Sequence, residues 1–227
     1  MIRYSVTRLE LVKRLSRESG VNKVGPASSE GQVGTYLQLV EWIDEAYAAI
    51  QGIHDTWRFH RSPFSKALTI DDGLYAPTDL DITNFKHWIP DGISLYENLA
   101  DEAPLHWLEW EDFQLNFGMG NYTTETGRPS FWTNDPDDNL KLYRIPEKAY
   151  ILKGEYFQSN DVMTVDEDVP IYHADYHMGI VWRALMYYGL AFAEADKYTV
   201  GMNEFKKVLR NMERKYLPKL KYGKTLA

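Results

Sequence analysis

Residues 126–157 read TGRPSFWTNDPDDNLKLYRIPEKAYILKGEYF, and the reading of this stretch decides the fold class. Residues 130–133, 140–145 and 150–158 are short runs rich in aromatic and β-branched side chains, the composition that fits a pleated, half-buried surface. Residues 134–139, NDPDDN, form a turn by composition: Asp and Asn bond to nearby backbone, and proline presets φ. Residues 145–149, IPEKA, supply a second turn. Three strands joined by two such turns predict a meander.

Further strand-like runs at residues 58–62 and 93–96 widen the strand-rich region to residues 57–170. Within it, residues 110–117 carry a short helical pattern. On either side the apolar period changes to that of a helix. Residues 6–19 place Leu9, Leu11, Val12 and Leu15 on one side, with Thr7 and Glu10 spaced as a capping box and Gly20 as a stop. Residues 22–31 are rich in Gly, Ser and polar types and read as a loop. Residues 32–51 repeat Val33, Leu37, Val40, Ile43, Tyr47 and Ile50 at helical steps. Helical period returns near His173, where Met178, Val181, Leu185, Tyr188 and Phe192 share a face. Residues 195–216 follow, with Tyr198, Met202, Phe205, Leu209, Met212 and Tyr216 forming a seam able to pack along another helix. Pro218 ends that helix, and residues 219–227 read as extended until something holds them. The predicted fold class is α+β: mainly an α-helical bundle from the N- and C-terminal helices, with a β-rich insertion (about 57–170) and an extended C-terminal tail (217–227), the whole forming one domain.

The 227 residues suffice for a single large core. No apolar run is long enough for a membrane span, and residues 1–8 lack a signal-peptide core. Cysteine is absent, which excludes disulfides, thiolate metal sites and thiol catalysis. The net charge of −8 hides an asymmetry. Residues 206–224 hold eight basic side chains against Glu213 alone, a charge of +7, leaving −15 elsewhere. An acidic body with a basic end lacks the broad positive face of a general nucleic-acid binder. The basic end suits either the helix dipole or docking on an acidic surface of another subunit. Aromatic residues make up 14% of the chain, enough for a heavy core and for broad partner surfaces.

Candidate chemistry is sparse. His173 and His177 are four apart, as two metal ligands on one helical face would be, but no third ligand is placed beside them. Acidic groups at Asp71-Asp72, Glu109 with Glu111-Asp112, Asp137-Asp138 and residues 166–168 have the composition of exposed turns, and a glycosidase would need two of them across a cleft. Residues 135–139 lack the glycine and terminal Glu of a calcium loop. No phosphate-binding glycine loop or Gly-x-Ser-x-Gly elbow is present. Trp57, Trp88, Trp107, Trp110 and Trp132 would make a sugar platform if exposed. These residues predict no catalytic site, no metal and no cofactor.

Four segments, LELVKRLSRESGV (9–21), LVEWIDEAYAAIQ (39–51) followed by Trp57-Arg58, residues 126–157, and YHMGIVWRALMYYG (176–189), occur in the order of one known family. The chain resembles the head-to-tail adaptor (head-completion, connector) proteins of tailed bacteriophages. The resemblance implies a structural, non-enzymatic virion protein at the head–tail junction, assembled in the host cytoplasm. Its expected partners are the portal protein, a tail tube or nozzle protein and other copies of itself, in a ring of twelve. DNA would pass through the lumen without specific binding, and no membrane is involved. The family's C-terminal segment commonly grips the portal, which here points to Lys215, Tyr216, Leu217, Lys219, Leu220, Lys221 and Tyr222. Twelve copies would carry a charge of about −96, a sign that lets a phosphate backbone slide. The competing expectation is a carbohydrate-binding or glycan-cleaving phage tail component built on the Trp-rich region and its carboxylates.

Overall fold

A computed structural model describes residues 6–218. Two compact units emerge from one chain: a helical unit from residues up to Phe59 together with those from Asn160 onward, and a β unit, His60–Ser159.

The helical unit begins with α1, Arg8–Ser19. Thr7 caps it in both directions: its hydroxyl accepts from the Glu10 N–H at 3.4 Å, and its own N–H donates to the Glu10 carboxylate at 3.1 Å. Gly20 closes the helix in the left-handed conformation (φ 88°), where a side chain would be strained. Next comes α2, Thr35–Gln51, which buries Leu39, Val40, Ile43, Ala46, Tyr47 and Ile50. The predicted face is corrected at its start. Val33 lies before the helix and is 80% exposed, and Leu37 also faces solvent, because Leu39 and Val40 occupy the core side of that turn.

After the β unit, α4, Met178–Ala191, and α5, Ala195–Tyr216, form an antiparallel hairpin; α3 lies in the β unit and is given below. The predicted α5 seam is realised: Phe205 and Met212 are buried, with Tyr198, Met202, Leu209 and Tyr216 packed on the same core. Glycines set how closely the two helices approach. A Cβ on Gly201 would lie 2.7 Å from the Trp182 carbonyl oxygen, and one on Gly189 would lie 2.6 Å from the Tyr198 nitrogen. On α4, Val181, Leu185 and Tyr188 are buried as the period predicts, whereas Phe192 falls past the helix end and is exposed.

The β unit holds β1 (Arg61–Ala67), β2 (Leu74–Tyr75), β3 (Phe85–Trp88), β4 (Ser94–Tyr96), β5 (Ala103–Pro104), β6 (His106–Trp107), α3 (Trp110–Phe117), β7 (Thr126–Gly127), β8 (Phe131–Asn134), β9 (Leu140–Tyr143), β10 (Ile145–Pro146) and β11 (Ile151–Gln158). The predicted meander is corrected. β8 and β9 do form an antiparallel hairpin, with Trp132 opposite Leu142. β11 does not join them. It pairs antiparallel with β1, in register Arg61 to Phe157, and with β4 and β3 on its other side. The second sheet runs β2-β9-β8-β6, and β7 with β10 makes a short parallel pair. The alternation of β11 explains the choice of partner. Leu152, Gly154 and Tyr156 point inward onto Phe64, Ile93 and Leu95, and Gly154 leaves the space that Ile93 and Phe64 fill.

The expectation of a mainly helical bundle with a β-rich insertion is therefore corrected. The described residues are 41% helical, counting four short 3₁₀ turns with the five α-helices, and 19% strand, in eleven strands that form three sheets. The β-rich body has its own core around Trp132, Trp88, Leu95, Leu140 and Leu152. The chain is α+β with a substantial β body, because non-local pairing of short strands collects residues 60–159 into a second core that a period-by-period reading treats as decoration.

Candidate functional site

Three of the residues expected to grip a partner converge at the end of α5. Tyr216 sits on the seam side of the last turn. Its hydroxyl accepts from the His173 N–H at 3.1 Å, and its ring meets Phe59 edge-on at 5.1 Å and Tyr176 at 5.8 Å. The Lys215 ammonium lies 5.4 Å over the Tyr176 ring and 5.2 Å over the Tyr216 ring, within cation–π range. Leu217 packs on the helical core, and its N–H donates to the Glu213 carbonyl at 3.0 Å. The Glu213 carboxylate is 3.1 Å from His54 Nε2. Beside this cluster runs a groove lined by Asp175, Tyr176, Val208, Asn211, Arg214 and Lys215. The chain thus leaves the helical unit from a fixed aromatic base at Pro218, itself exposed. Lys219, Leu220, Lys221 and Tyr222 lie outside the described residues.

Beneath α1 and α2 lies a polar network that sequence reasoning missed. Arg8 is buried and forks onto Asp44, Nε to Oδ1 at 3.0 Å and Nη2 to Oδ2 at 2.6 Å. Its Nη1 also donates to the Ser29 hydroxyl at 3.1 Å and the Thr164 carbonyl at 3.0 Å. Hydrogen bonding to Asp44 holds the guanidinium pKa above its ordinary value, against the opposing effect of burial. Ser29 donates through its N–H (2.7 Å) and its hydroxyl to Asp166, whose pKa is held low chiefly by that hydroxyl. Tyr47 donates to Asp161 at 2.6 Å and accepts from the Ile171 N–H at 2.9 Å, and burial raises its pKa. The network binds the loop before α2 and the 161–171 segment to the helices. Its one sequence signal was an Arg on the buried side of an amphipathic helix, a residue that is almost never buried unless paired.

The remaining candidates serve structure. His173 and His177 do not share a helical face, because residues 174–176 form a 3₁₀ turn and α4 starts only at Met178. His173 Nδ1 accepts from the Asp175 N–H at 3.3 Å. His177 is buried with Nε2 2.8 Å from the Tyr172 carbonyl, and burial lowers its pKa. Among the described residues no group of three or more His, Asp or Glu is arranged to hold a metal ion. Trp57, Trp88 and Trp132 are buried, while Trp107 and Trp110 are half-buried, so the five do not form an open platform.

The acidic groups build turns. Asp72 accepts from the Leu74 N–H at 3.0 Å, and Asp135 accepts from Asp137 and Asn139 at 2.9 and 2.8 Å. Asp101 is held low first by the Asn98 N–H and further by Arg128, and Glu102 first by Lys153. Asp168 is held low first by the Val165 N–H. A glycosidic acid needs the opposite shift.

Charge divides by unit. Residues 60–159 carry eight Lys and Arg against seventeen Asp and Glu, a net of −9, while the rest of the chain carries seventeen against sixteen, a net of +1. No helix among the described residues is long and apolar enough to cross a membrane. Compared with known proteins, residues 6–218 match the family model described as SU10 adaptor protein. No curated protein matches the chain.

Proposed function

The chain belongs to the SU10 adaptor protein family, a family of phage head-to-tail adaptors, and from that premise we propose that it assembles as a ring of twelve copies between the portal and the tail tube or nozzle, with DNA passing through the lumen. The family is structural and its members are virion components. In this reading the protein positions other chains and makes or breaks no covalent bond. The segment from Lys215 to Tyr222 grips the portal.

The observation that supports the reading most directly is the anchored base at Tyr216. A gripping segment transmits force to the body only if its root is fixed. Here the root is held by a backbone hydrogen bond from His173 and by two aromatic contacts. An acidic lining of the lumen would repel phosphate and keep the genome mobile during passage.

The test mixes the purified chain with purified portal rings and follows co-sedimentation, with electron microscopy of the pellet. The expected result is a twelve-fold collar on the portal. A chain ending at Pro218 is expected to stay in the supernatant while keeping its circular dichroism and melting midpoint. Unchanged docking by that truncated chain would overturn the grip. A full chain that ignores the portal but binds glycan would overturn the adaptor reading in favour of a sugar-directed tail component. A basic lumen in the assembled ring would remove the electrostatic account of DNA passage.

A further inference from the structure

The outer face of α5 carries a feature that neither the helix nor the gripping segment explains. Lys206, Arg210 and Arg214 are spaced four apart, so they form one ridge along the helix. All three are exposed, and none has an ion-pair partner among the described residues. Like charges at this spacing destabilise a helix, so an isolated α5 is better off without them. The helix dipole does not account for the ridge either. Its effect fades beyond the last turn, and Lys206 lies ten residues before the end of the helix at Tyr216. Lys207, by contrast, pairs with Glu204 at 2.5 Å, and Lys215 lies over tyrosine rings, so both are used locally.

We propose that the Lys206–Arg210–Arg214 ridge of one copy docks on the acidic β unit of the next copy. This rests on the ring reading above and deepens it by assigning one side of the contact between copies. Charge complementarity selects the occupant. Whole chains carry −8 each and repel one another. The acidity lies in residues 60–159, at −9, and the rest of the chain, at +1, presents the ridge. A cyclic ring is built from heterologous contacts, in which one patch of a subunit meets a different patch of its neighbour. Bringing the ridge onto a neighbour's β unit converts repulsion between copies into attraction and sets the direction in which they follow one another.

The test uses the full chain, alone at high concentration and on portal rings, in mixtures of isotopically light and heavy copies. Carbodiimide treatment joins an amine to a carboxylate it already touches. The expected result is a light–heavy cross-link between Lys206 and an Asp or Glu within residues 60–159. The triple variant Lys206→Glu/Arg210→Glu/Arg214→Glu is expected to fold as the parent and to assemble with an affinity lower by more than about tenfold. Raised salt is expected to weaken assembly of the parent and to matter less for the variant.

Rings formed equally well by the triple variant would overturn the ridge contact and leave the ring reading standing. Failure of the parent to assemble even on portal rings would remove both. A cross-link from Lys206 to the portal protein would overturn the contact between copies in favour of a portal contact. So would a triple variant that assembles normally but loses binding to duplex DNA, in favour of a contact with the genome.

Discussion

Replacing Asp44 with alanine strands the buried guanidinium of Arg8. The Arg8 side chain is 9% exposed and that of Asp44 34%, so the pair sits between the fully buried and the surface case. Breaking a buried pair costs roughly 3–5 kcal/mol, whereas exposed pairs contribute about 0–1 kcal/mol. Arg8 keeps its bonds to Ser29 and Thr164, and Asp166 and Asp168 remain close enough to favour its charge. The expected cost is therefore about 2 kcal/mol, which for a unit of this size lowers the melting midpoint by about 8 °C. Thermal melts followed by far-UV circular dichroism measure it, with the helical unit dominating the signal. The double variant Arg8→Met/Asp44→Leu removes both charges and fills the space with apolar atoms, so it is expected to cost less than Asp44→Ala alone. An Asp44→Ala protein that melts within about 1 °C of the parent, or a double variant less stable than the single one, would refute the argument.

Gly201→Ala places a methyl group 2.7 Å from the Trp182 carbonyl oxygen and is expected to cost about 1–3 kcal/mol, read as a lower urea midpoint; an unchanged midpoint contradicts the close crossing of α4 and α5. Tyr216→Phe deletes the acceptor for the His173 N–H and is expected to cost about 0.5–1.5 kcal/mol, with faster hydrogen exchange at residue 173; unchanged exchange there means the bond does not hold the root. Burial lowers the pKa of His177, so the unfolded chain takes up a proton first as pH falls through its ordinary value of about 6.5. The contribution of this group is fully present above that pH and is lost as pH drops toward the depressed folded value. His177→Gln is expected to flatten that part of the stability–pH curve measured by urea unfolding, and an equally steep curve in the variant sinks the assignment.

Much of the helical architecture was legible because its determinants are local. Thr7, Glu10 and Gly20 lie within or beside the element they delimit, and the α5 seam repeats over a long helix. The strands were legible as strands but not as partners. Nothing in residues 151–158 announces that Arg61–Ala67, far back in the chain, pairs with them, because a period of two specifies a face and not a neighbour. Proximity in sequence suggested β9, and the inward set of β11 found a better fit on Phe64 and Leu95. At the candidate site, the family resemblance, together with the basic charge of this end of the chain, pointed to Lys215, Tyr216 and Leu217, but the aromatic base was invisible. Phe59, His173 and Tyr176 are distant in sequence and meet Tyr216 only in the folded unit. Arg8 with Asp44 was missed for the same reason: two charges on two helices carry no sign of mutual burial until the helices pack.

The register of β1 on β11 has a topological consequence. Arg61 stands opposite Phe157, so the polypeptide enters and leaves the β body on neighbouring strands, about 4.8 Å apart. Two ends that close span with a short tether. The β body is thus an insertion whose two ends lie side by side, the geometry in which a segment can grow, shrink or be exchanged between fixed flanking residues. Sequence variation within residues 60–159 then has a place to accumulate, while the spacing of the two flanking chain positions stays the same.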